Sequence, residues 1–420
     1  MDPIYDGDIE ELENSSDEHE DFMRRINDDT TREDPWIHKV FDWSAHVKQL
    51  LHEKRFNIEY RMSPQAFTRL RNILYIRLRR QIKKNRKIRP VTVEMIIGSG
   101  LRFLAGGKVN DIRHIFFISK TECYHSIACF IKAVNTSNSL NIKLPQTAAE
   151  WEEVRKGFAN KSSNGLMNGC VGAIDGFLQP IIAPWKNEVG NVRAYFSGHY
   201  QSFGLNCQAA CDIRLKFLYF GIVAPGKTND NAAYPLCTIL RRTIKNLPVG
   251  LYFVGDAAYS LEENLLVPFV GSQKMDKNND AFNFHLSQMR IRIEMAFGRL
   301  VRKFQILKRK IEGKLGKISQ IISACARLHN FIIDMDVPPS ILNEEEDDKI
   351  VPMPNGPQEM GYLPTMLEDE DEEFKKIDGT SETRTAIVDE IKRQGIRRPD
   401  FNIQRKITEK DELMMYYHPT

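Results

Sequence analysis

Three acidic residues stand where side chains from separate segments of the chain could meet. Asp175 ends the apolar run GCVGAID and precedes Gly176, and Asp256 follows the apolar run LYFVG. Both positions predict a carboxylate at the end of a β-strand, where functional groups converge in α/β sheets. Glu294 lies one residue from the apolar stripe of QMRIRIEMAFGRLVRKF, which predicts a place at the edge of the buried face of a helix. Taken singly, each residue also fits a turn or a solvated helix position.

Three carboxylates in one site repel one another, which raises their pKa values unless a cation is bound between them. A site made of carboxylate oxygens suits Mg²⁺ or Mn²⁺. Two such ions can activate a water or a 3′ hydroxyl on one side of a phosphodiester and stabilise the leaving oxygen on the other. If the three acids meet, the sequence therefore predicts two-metal phosphodiester chemistry.

The elements that must position these acids begin near residue 168. Short β-branched or aromatic runs bounded by Gly, Pro, Asn and Asp predict strands. These runs are GCVGAID, LQPII, SFGLNCQAACD, LKFLYFGIV and LYFVGDAAY. Two helices are predicted among them, over 232–244 and 284–311. Strands interleaved with helices predict an α/β fold with a mixed sheet covered on both faces.

The preceding region, over 35–150, has the apolar spacing of helices. Its last two predicted helices lie around 112–116 and from Ser119 to about residue 134, the latter opened by the capping-box spacing SKTE. A short helix, a tight turn and a capped helix outline a helix-turn-helix, with Lys120 and Lys132 as candidate DNA contacts. An ordinary three-helix packing unit fits the same pattern.

A run of eight basic residues lies between positions 77 and 89, in RLRRQIKKNRKIR. It predicts a DNA-contacting arm, with Arg79, Arg80, Lys83 and Lys84 on phosphates, or a nuclear-import signal. A solvated helix end has the same composition.

The net charge of +3 conceals a strong asymmetry. Residues 1–34 and 335–379 each hold 14 acidic residues against 3 basic ones, which leaves the rest of the chain at +25. A body this basic suits a polyanionic partner such as DNA, although a solvated basic surface gives the same count. The head at 1–34 and the linker at 336–380 are predicted to be disordered, and the tail at 381–420 to contain one basic helix.

Several other classes of protein are disfavoured. The chain has no run of eighteen uncharged apolar residues and an acidic start, so we expect a soluble intracellular protein with no membrane partner. Its seven cysteines are scattered and are predicted to be reduced core thiols; the close pair Cys207 and Cys211 lacks the partners of a zinc site. The motifs GxxxxGK[ST], GxSxG and HExxH do not occur, which disfavours ATP hydrolysis and the serine and zinc hydrolases.

Four motifs in series resemble the DDE endonucleases of the PIF/Harbinger transposases. They are GAIDG at 172–176, NCQAACD at 206–212, GDAAY at 255–259 and NFHLSQMRIRIEMAFGRLVRKF at 283–304. The resemblance implies an α/β, RNase H-like mixed-sheet catalytic domain over 165–335, preceded by an all-α, helix-turn-helix-like DNA-binding region over 35–150. It also implies that Asp175, Asp256 and Glu294 are catalytic and bind two divalent metal ions, Mg²⁺ or Mn²⁺.

Two positions depart from the pattern of this family. GKTND stands where Gly-Ser-x-His-Asp is common, so Asp230 is retained as an accessory acid while Asn229 replaces the His. Ala258 replaces the second Gly of Gly-Asp-x-Gly-Tyr. Both changes could slow or retune catalysis. Arg290, one turn before Glu294, matches a basic position and is expected to contact DNA phosphate or orient the carboxylate.

The resemblance implies a nuclear transposase that binds terminal inverted repeats in duplex DNA, hydrolyses phosphodiesters and joins the 3′ ends to T/A-rich targets. It further implies a separate Myb-like DNA-binding partner, while a monomer and a homo-oligomer both stay open. Two alternatives remain. One is a host-recruited, transposase-derived DNA-binding or scaffolding protein that no longer transposes. The other, which suits a basic helical region less well, is an RNase H-like nuclease of repair or RNA processing.

Overall fold

Seven α-helices precede the first strand in the part of the chain that the structure describes. This computed structural model describes residues 40–81, 91–336 and 381–399. Polar caps fix where helices begin, as at Ser119, whose Oγ accepts a hydrogen bond from the Glu122 N–H. The seven helices are α1 (Trp43–His52), α2 (Phe56–Tyr60), α3 (Pro64–Gln81), α4 (Val93–Leu104), α5 (Val109–Phe116), α6 (Lys120–Asn135) and α7 (Ala148–Lys161).

Strands and further helices then alternate. In chain order they are β1 (Cys170–Pro180), α8 (Lys186–Val189), β2 (Phe196–Ser197), β3 (Ser202–Cys211), β4 (Phe217–Pro225), α9 (Asp230–Ala233), α10 (Thr238–Lys245), β5 (Tyr252–Val254), β6 (Leu265–Leu266), α11 (Lys277–Lys303), α12 (Leu315–Asp336) and α13 (Glu382–Gln394).

The strands form one mixed sheet in the order β4–β3–β1–β5–β6, with β2 paired to the start of β3. β1, β3 and β4 are antiparallel neighbours, whereas β5 runs parallel to β1 and β6 runs parallel to β5. Three antiparallel strands continued by parallel ones, with helices between them, are consistent with an RNase H-like domain.

Both faces of this sheet are covered, as the sequence predicts. Alternation along β1 sends Ala173 and Phe177 into the core under α11, where Phe177 stacks on Phe297. Ile174 faces the opposite side and joins a second cluster that includes Trp151 of α7. Asp175 shares the parity of Ala173 and Phe177, so its side chain lies on the α11 face.

The helical region and the sheet share one continuous buried core, and α12 connects them. This helix contacts α6 on one side and β4 on the other. Asn135 Nδ2 donates to the Gln320 carbonyl over 2.9 Å, and the Asn330 side chain exchanges two 2.8 Å hydrogen bonds with the Phe217 backbone. The position of the helical region relative to the sheet is therefore fixed by packing and by polar contacts.

The predicted helix-turn-helix segment corresponds to α5, a three-residue turn and α6. Phe117 in the turn takes a left-handed φ of 52°. α6 is central in the bundle, because it packs against α3, α4, α5 and α12. Only Ala128 and Lys132 are exposed along it, and Lys120 is half-buried. DNA contact by this segment stays a prediction.

Three predicted elements have different bounds in the structure. GCVGAID and LQPII form one strand, because β1 keeps its pairing with β3 through Asp175↔Ala209 and Gly176↔Gln208. The helix predicted over 232–244 is divided into α9 and α10 by a 3₁₀ turn that contains Pro235. The helix predicted over 284–311 is shifted, since Asp276 caps α11 at its start and the helix ends at Lys303.

The C-terminal helix α13 packs against α11. The Glu263 carboxylate accepts hydrogen bonds from the backbone N–H groups of Glu382 and Thr383 at 2.8 and 2.9 Å, and so caps the start of this helix. The Arg384 guanidinium lies 4.0 Å from the centre of the Phe269 ring. Part of the predicted tail over 381–420 is thus a helix attached to the α/β region.

Several sequence predictions fall on residues outside the described ranges. The acidic head at 1–34, nearly all of the acidic linker at 336–380, and Lys83 and Lys84 lie there. Where the chain is described, no helix is both long and apolar enough to cross a membrane. The seven cysteines are free thiols, and six of them are buried, as predicted for core residues.

Candidate active site

Asp175 lies in the middle of β1, so its predicted place at a strand end is wrong. The parallel pairing of β1 with β5 ends at Ala173↔Val254, whereas the antiparallel pairing with β3 continues to Pro180. Asp175 therefore lies two residues after Ala173, the last residue that is paired on the β5 side. Its Oδ1 accepts a 2.8 Å hydrogen bond from the Gly176 N–H. This carboxylate is fixed by the sheet, not by a flexible loop.

Asp256 follows β5 after a single residue, as the sequence predicts. The Gly255 N–H donates to the Leu266 carbonyl at 2.9 Å, which keeps this stretch aligned with β6. Asp256 Oδ1 accepts a 2.9 Å hydrogen bond from the Ala258 N–H. The residue thus starts a turn at the end of β5, beside the place where β1 and β5 separate.

Glu294 is buried on α11, the helix that packs over β1. Arg290, one turn earlier on α11, forms an ion pair with Glu294 Oε1. Arg290 Nη1 also lies 3.9 Å from Asp175 Oδ2. The arginine therefore connects the helix acid to the strand acid.

Burial raises the pKa of Asp175 well above its usual range, and the negative charges of Asp256 and Asp230 raise it further. The positive charge of Arg290 and the hydrogen bond from the Gly176 N–H oppose this rise in the pKa of Asp175 only in part. The charges of Asp256 and Asp230 thus act on the Asp175 carboxylate. The site has an excess of negative charge in a poorly hydrated place.

Asp230 belongs to a buried polar network beside Asp175. Its Oδ1 accepts hydrogen bonds from Gln208 Nε2 at 2.7 Å and Asn206 Nδ2 at 3.2 Å. Tyr259 Oη in turn donates to Gln208 Oε1 at 2.7 Å. A Cβ atom added at Gly176 would lie 1.9 Å from Asp230 Oδ1. Glycine at position 176 is therefore required for Asp230 to approach the strand.

The roles of four of these side chains were not predicted from the sequence. Asn206, Gln208 and Tyr259 lie inside the family-like motifs, but no role was assigned to them. The alternation of Asn206 and Gln208 with apolar neighbours on β3 was a usable signal, because it places two amides on one face of a buried strand. Burial raises the pKa of the Tyr200 phenol to about 12, and the charges of Asp230, Asp175 and Asp256 contribute. Nothing in the local sequence marked Tyr200.

The two departures from the family pattern are accommodated by the backbone. Asn229 caps α9, since its Oδ1 accepts a 2.9 Å hydrogen bond from the Ala232 N–H. Ala258 is not among the residues with a positive φ, so glycine is not needed there for conformational freedom. Asn229 and Ala258 thus fit the local backbone, and their effect on catalysis stays a prediction.

The donor chemistry of the site fits Mg²⁺ or Mn²⁺. Its acids offer hard carboxylate oxygens, and the uncompensated charge around Asp175 favours a cation. The side-chain arrangement, however, is not that of a loaded metal site. Within the described ranges, no three His, Cys, Asp or Glu side chains are grouped closely enough to ligate one ion. Arg290 occupies the space between two of the acids.

The predicted DNA contacts are distributed over several elements. Arg79 and Arg80 are exposed in the last turn of α3. Lys120 and Lys132 lie on α6, half-buried and exposed respectively. Arg290 belongs to the acidic site, unlike the other four.

Residues 174–330 match the family of DDE superfamily endonucleases. The matched range starts one residue before Asp175 and includes Asp256 and Glu294. The matched region is similar to a DDE superfamily endonuclease domain. It includes the acidic site and all of the mixed sheet except the first four residues of β1.

A relative with a longer region of similarity is Protein ALP1-like of Arabidopsis thaliana. The identity is 24% over 266 residues, which cover 59% of this chain and 62% of the relative. The chain therefore spans less than two thirds of the relative that it matches. No solved structure matches the chain significantly.

Proposed function

We propose that this protein is a metal-dependent DNA endonuclease of the transposase type. The observation that carries the proposal is Arg290, which pairs with Glu294 and lies 3.9 Å from Asp175, in a region similar to DDE superfamily endonucleases. The charge of Asp256, which raises the pKa of Asp175, supports the third acid of the site. A partly buried site with unbalanced negative charge is costly unless it serves to bind a cation.

The three acids would hold the metal ions, which when bound supply a metal-activated nucleophile and stabilise the leaving oxygen of a phosphodiester. The backbone positions the two aspartates. Asp175 is fixed by β1 and by the Gly176 N–H, and Asp256 by the Ala258 N–H. Glu294 reaches the site from a helix that is locked into the core. This rigidity suits in-line attack, which requires the reacting atoms to be aligned.

We further propose that the substrate is duplex DNA with terminal inverted repeats, and that joining occurs at T/A-rich targets in the nucleus. The basic body of the chain supports a polyanionic substrate. The resemblance to PIF/Harbinger transposases supports the repeats, the target and a Myb-like partner protein.

The direct test is nicking of supercoiled plasmid by the full chain in Mg²⁺ or Mn²⁺. We expect relaxed and linear products with either metal and none in EDTA. Addition of a duplex that carries the repeats flanking the gene should convert random nicking into cleavage at the repeat ends. Absence of metal-dependent nicking, with and without a DNA-binding partner, would refute the endonuclease.

DNA affinity offers an independent prediction. Arg79 and Arg80 are exposed at the end of α3, and none of the described acidic residues forms an ion pair with them that would compete with phosphate. Replacing both by Ala should weaken binding to all duplexes alike and reduce the slope of log affinity against log salt by about 1 per lost contact. The control is Lys392→Ala with Arg393→Ala, which removes the same charge from α13. Equal slopes for the two double variants in a fluorescence titration would show that Arg79 and Arg80 do not contact the DNA.

A second function is favoured by one observation. Because Arg290 lies between Asp175 and Glu294, the acidic site is partly neutralised without metal. That arrangement would suit a host-recruited protein that retains the fold for DNA binding or scaffolding. Inverted repeats directly flanking the gene would favour a mobile transposase, and their absence the recruited protein.

A further inference from the structure

We propose that Arg290 is the counterion of the acidic site in the absence of metal. A divalent cation replaces Arg290 there, and Arg290 then binds a phosphate of the DNA. This inference rests on the proposed metal-dependent cleavage. It assigns Arg290 two successive positions, one on the acids and one on the substrate.

The first position is the one in the structure. Arg290 pairs with Glu294 on its own helix and lies 3.9 Å from Asp175 on β1. An arginine placed N-terminal to a glutamate at this spacing is the weaker orientation for stabilising a helix. Helix stability alone therefore does not explain the arginine, whereas its link to Asp175 does.

The guanidinium and a metal ion cannot share this space. Mg²⁺ binds carboxylate oxygens at about 2.0–2.1 Å, so two acids that ligate one ion must lie close together. With the guanidinium between them, Asp175 and Glu294 are held as partners of a larger, planar cation. Consistent with this, the described residues contain no group of three side chains in ligand geometry. Metal binding therefore requires Arg290 to leave.

The second position follows from the accessibility of Arg290. Its side chain is 23% exposed, against 9% for that of Glu294, so the guanidinium can turn outward while the glutamate stays in place. A released guanidinium beside a metal site meets the substrate phosphate, and it binds phosphate with two parallel hydrogen bonds. Arg290 would then be a positioning residue for the substrate.

Metal affinity distinguishes Arg290 as a counterion from an Arg290 that only orients Glu294. We expect Arg290→Gln to melt at a lower temperature without metal and to bind Mn²⁺ about tenfold more tightly, because the competing cation is lost. Arg290→Lys keeps the charge and should bind Mn²⁺ like the wild type. Arg302→Gln removes a charge from an exposed position on the same helix and serves as the control. The measurement is the shift of the melting temperature of the full chain over an Mn²⁺ titration.

Nicking assays provide the second readout. For Arg290→Gln, the Mn²⁺ concentration for half-maximal nicking should fall about tenfold while the maximal rate also falls, because the phosphate contact is lost. An arginine that only orients Glu294 would instead weaken metal binding when removed.

Unchanged or weaker Mn²⁺ binding by Arg290→Gln would overturn the inference, and so would a failure of Mn²⁺ to stabilise any variant. Tighter binding by Arg290→Gln without nicking by any variant would support the counterion and refute the endonuclease. The two proposals can therefore fail separately.

Discussion

Glu294→Gln is expected to abolish metal-dependent nicking while leaving the protein folded and able to bind DNA. The three acids would together hold the ions that activate the nucleophile and stabilise the leaving oxygen, so loss of one acid should reduce the rate by roughly 10²–10³-fold or more. Asp175→Asn and Asp256→Asn should have the same effect. Double substitutions should cost little beyond the single ones, because the three acids act as a unit.

Stability should change in the opposite direction to activity. Asp175→Asn removes a half-buried carboxylate whose negative form is disfavoured by the charges of Asp256 and Asp230, yet its amide oxygen can still accept from the Gly176 N–H. We therefore expect this variant to melt at or above the temperature of the wild type without metal, and to gain less from added Mn²⁺. Thermal melts with and without Mn²⁺ measure both effects.

Glu312→Gln is the matched control for these substitutions, since it neutralises an exposed acid of the same region. It should nick like the wild type. Nicking by Glu294→Gln at the rate of Glu312→Gln would remove Glu294 from the active site. A large loss of stability in Asp175→Asn would mean that the acid has a structural role.

Gly176→Ala is expected to reduce nicking by more than tenfold, although it adds one methyl group. The new Cβ would lie 1.9 Å from Asp230 Oδ1, which is held by Gln208 and Asn206. Either Asp230 leaves these buried donors or β1 shifts at Asp175. Such overpacking costs about 1–3 kcal/mol and should reduce the melting temperature by a few degrees.

Gly198→Ala provides the control, because no atom lies within 4 Å of the added Cβ in that turn. A double variant tests the cause. Asp230→Ala removes the clashing carboxylate, so Gly176→Ala should add no further loss of stability in that background. Additive losses of stability would show that the glycine is needed for some reason other than Asp230.

The local sequence was sufficient to predict several of these features. The apolar run before Asp256 and the apolar spacing around Glu294 placed one acid after a strand and the other on a largely buried helix. The bounds of α6, after Ser119 and to about residue 134, were also predicted correctly, because a capping residue and a period of 3.6 residues are local properties. The predictions for the head, the linker and the Lys83–Lys84 run concern residues outside the described ranges.

The error at Asp175 has its origin in pairing between strands. Asp175–Gly176 has the composition of a turn, yet β1 continues through it because Ala209 and Gln208 of β3 are paired alongside. Hydrogen bonds to a distant strand outweigh the local preference of an Asp-Gly pair. Position 176 also shows why the glycine is present, since the space it leaves is filled by Asp230 from a later segment.

The sequence by itself determined the residue types of this protein: hard carboxylate donors, a basic body between acidic segments, and the order of strands and helices. Only the tertiary structure decided how the acids are partnered. It placed Arg290 between Asp175 and Glu294, and Asp230 in a network with Gln208 and Tyr259. Burial and pairing depend on which segments pack together, and local spacing along the chain does not encode the distance between a strand and a helix more than one hundred residues apart.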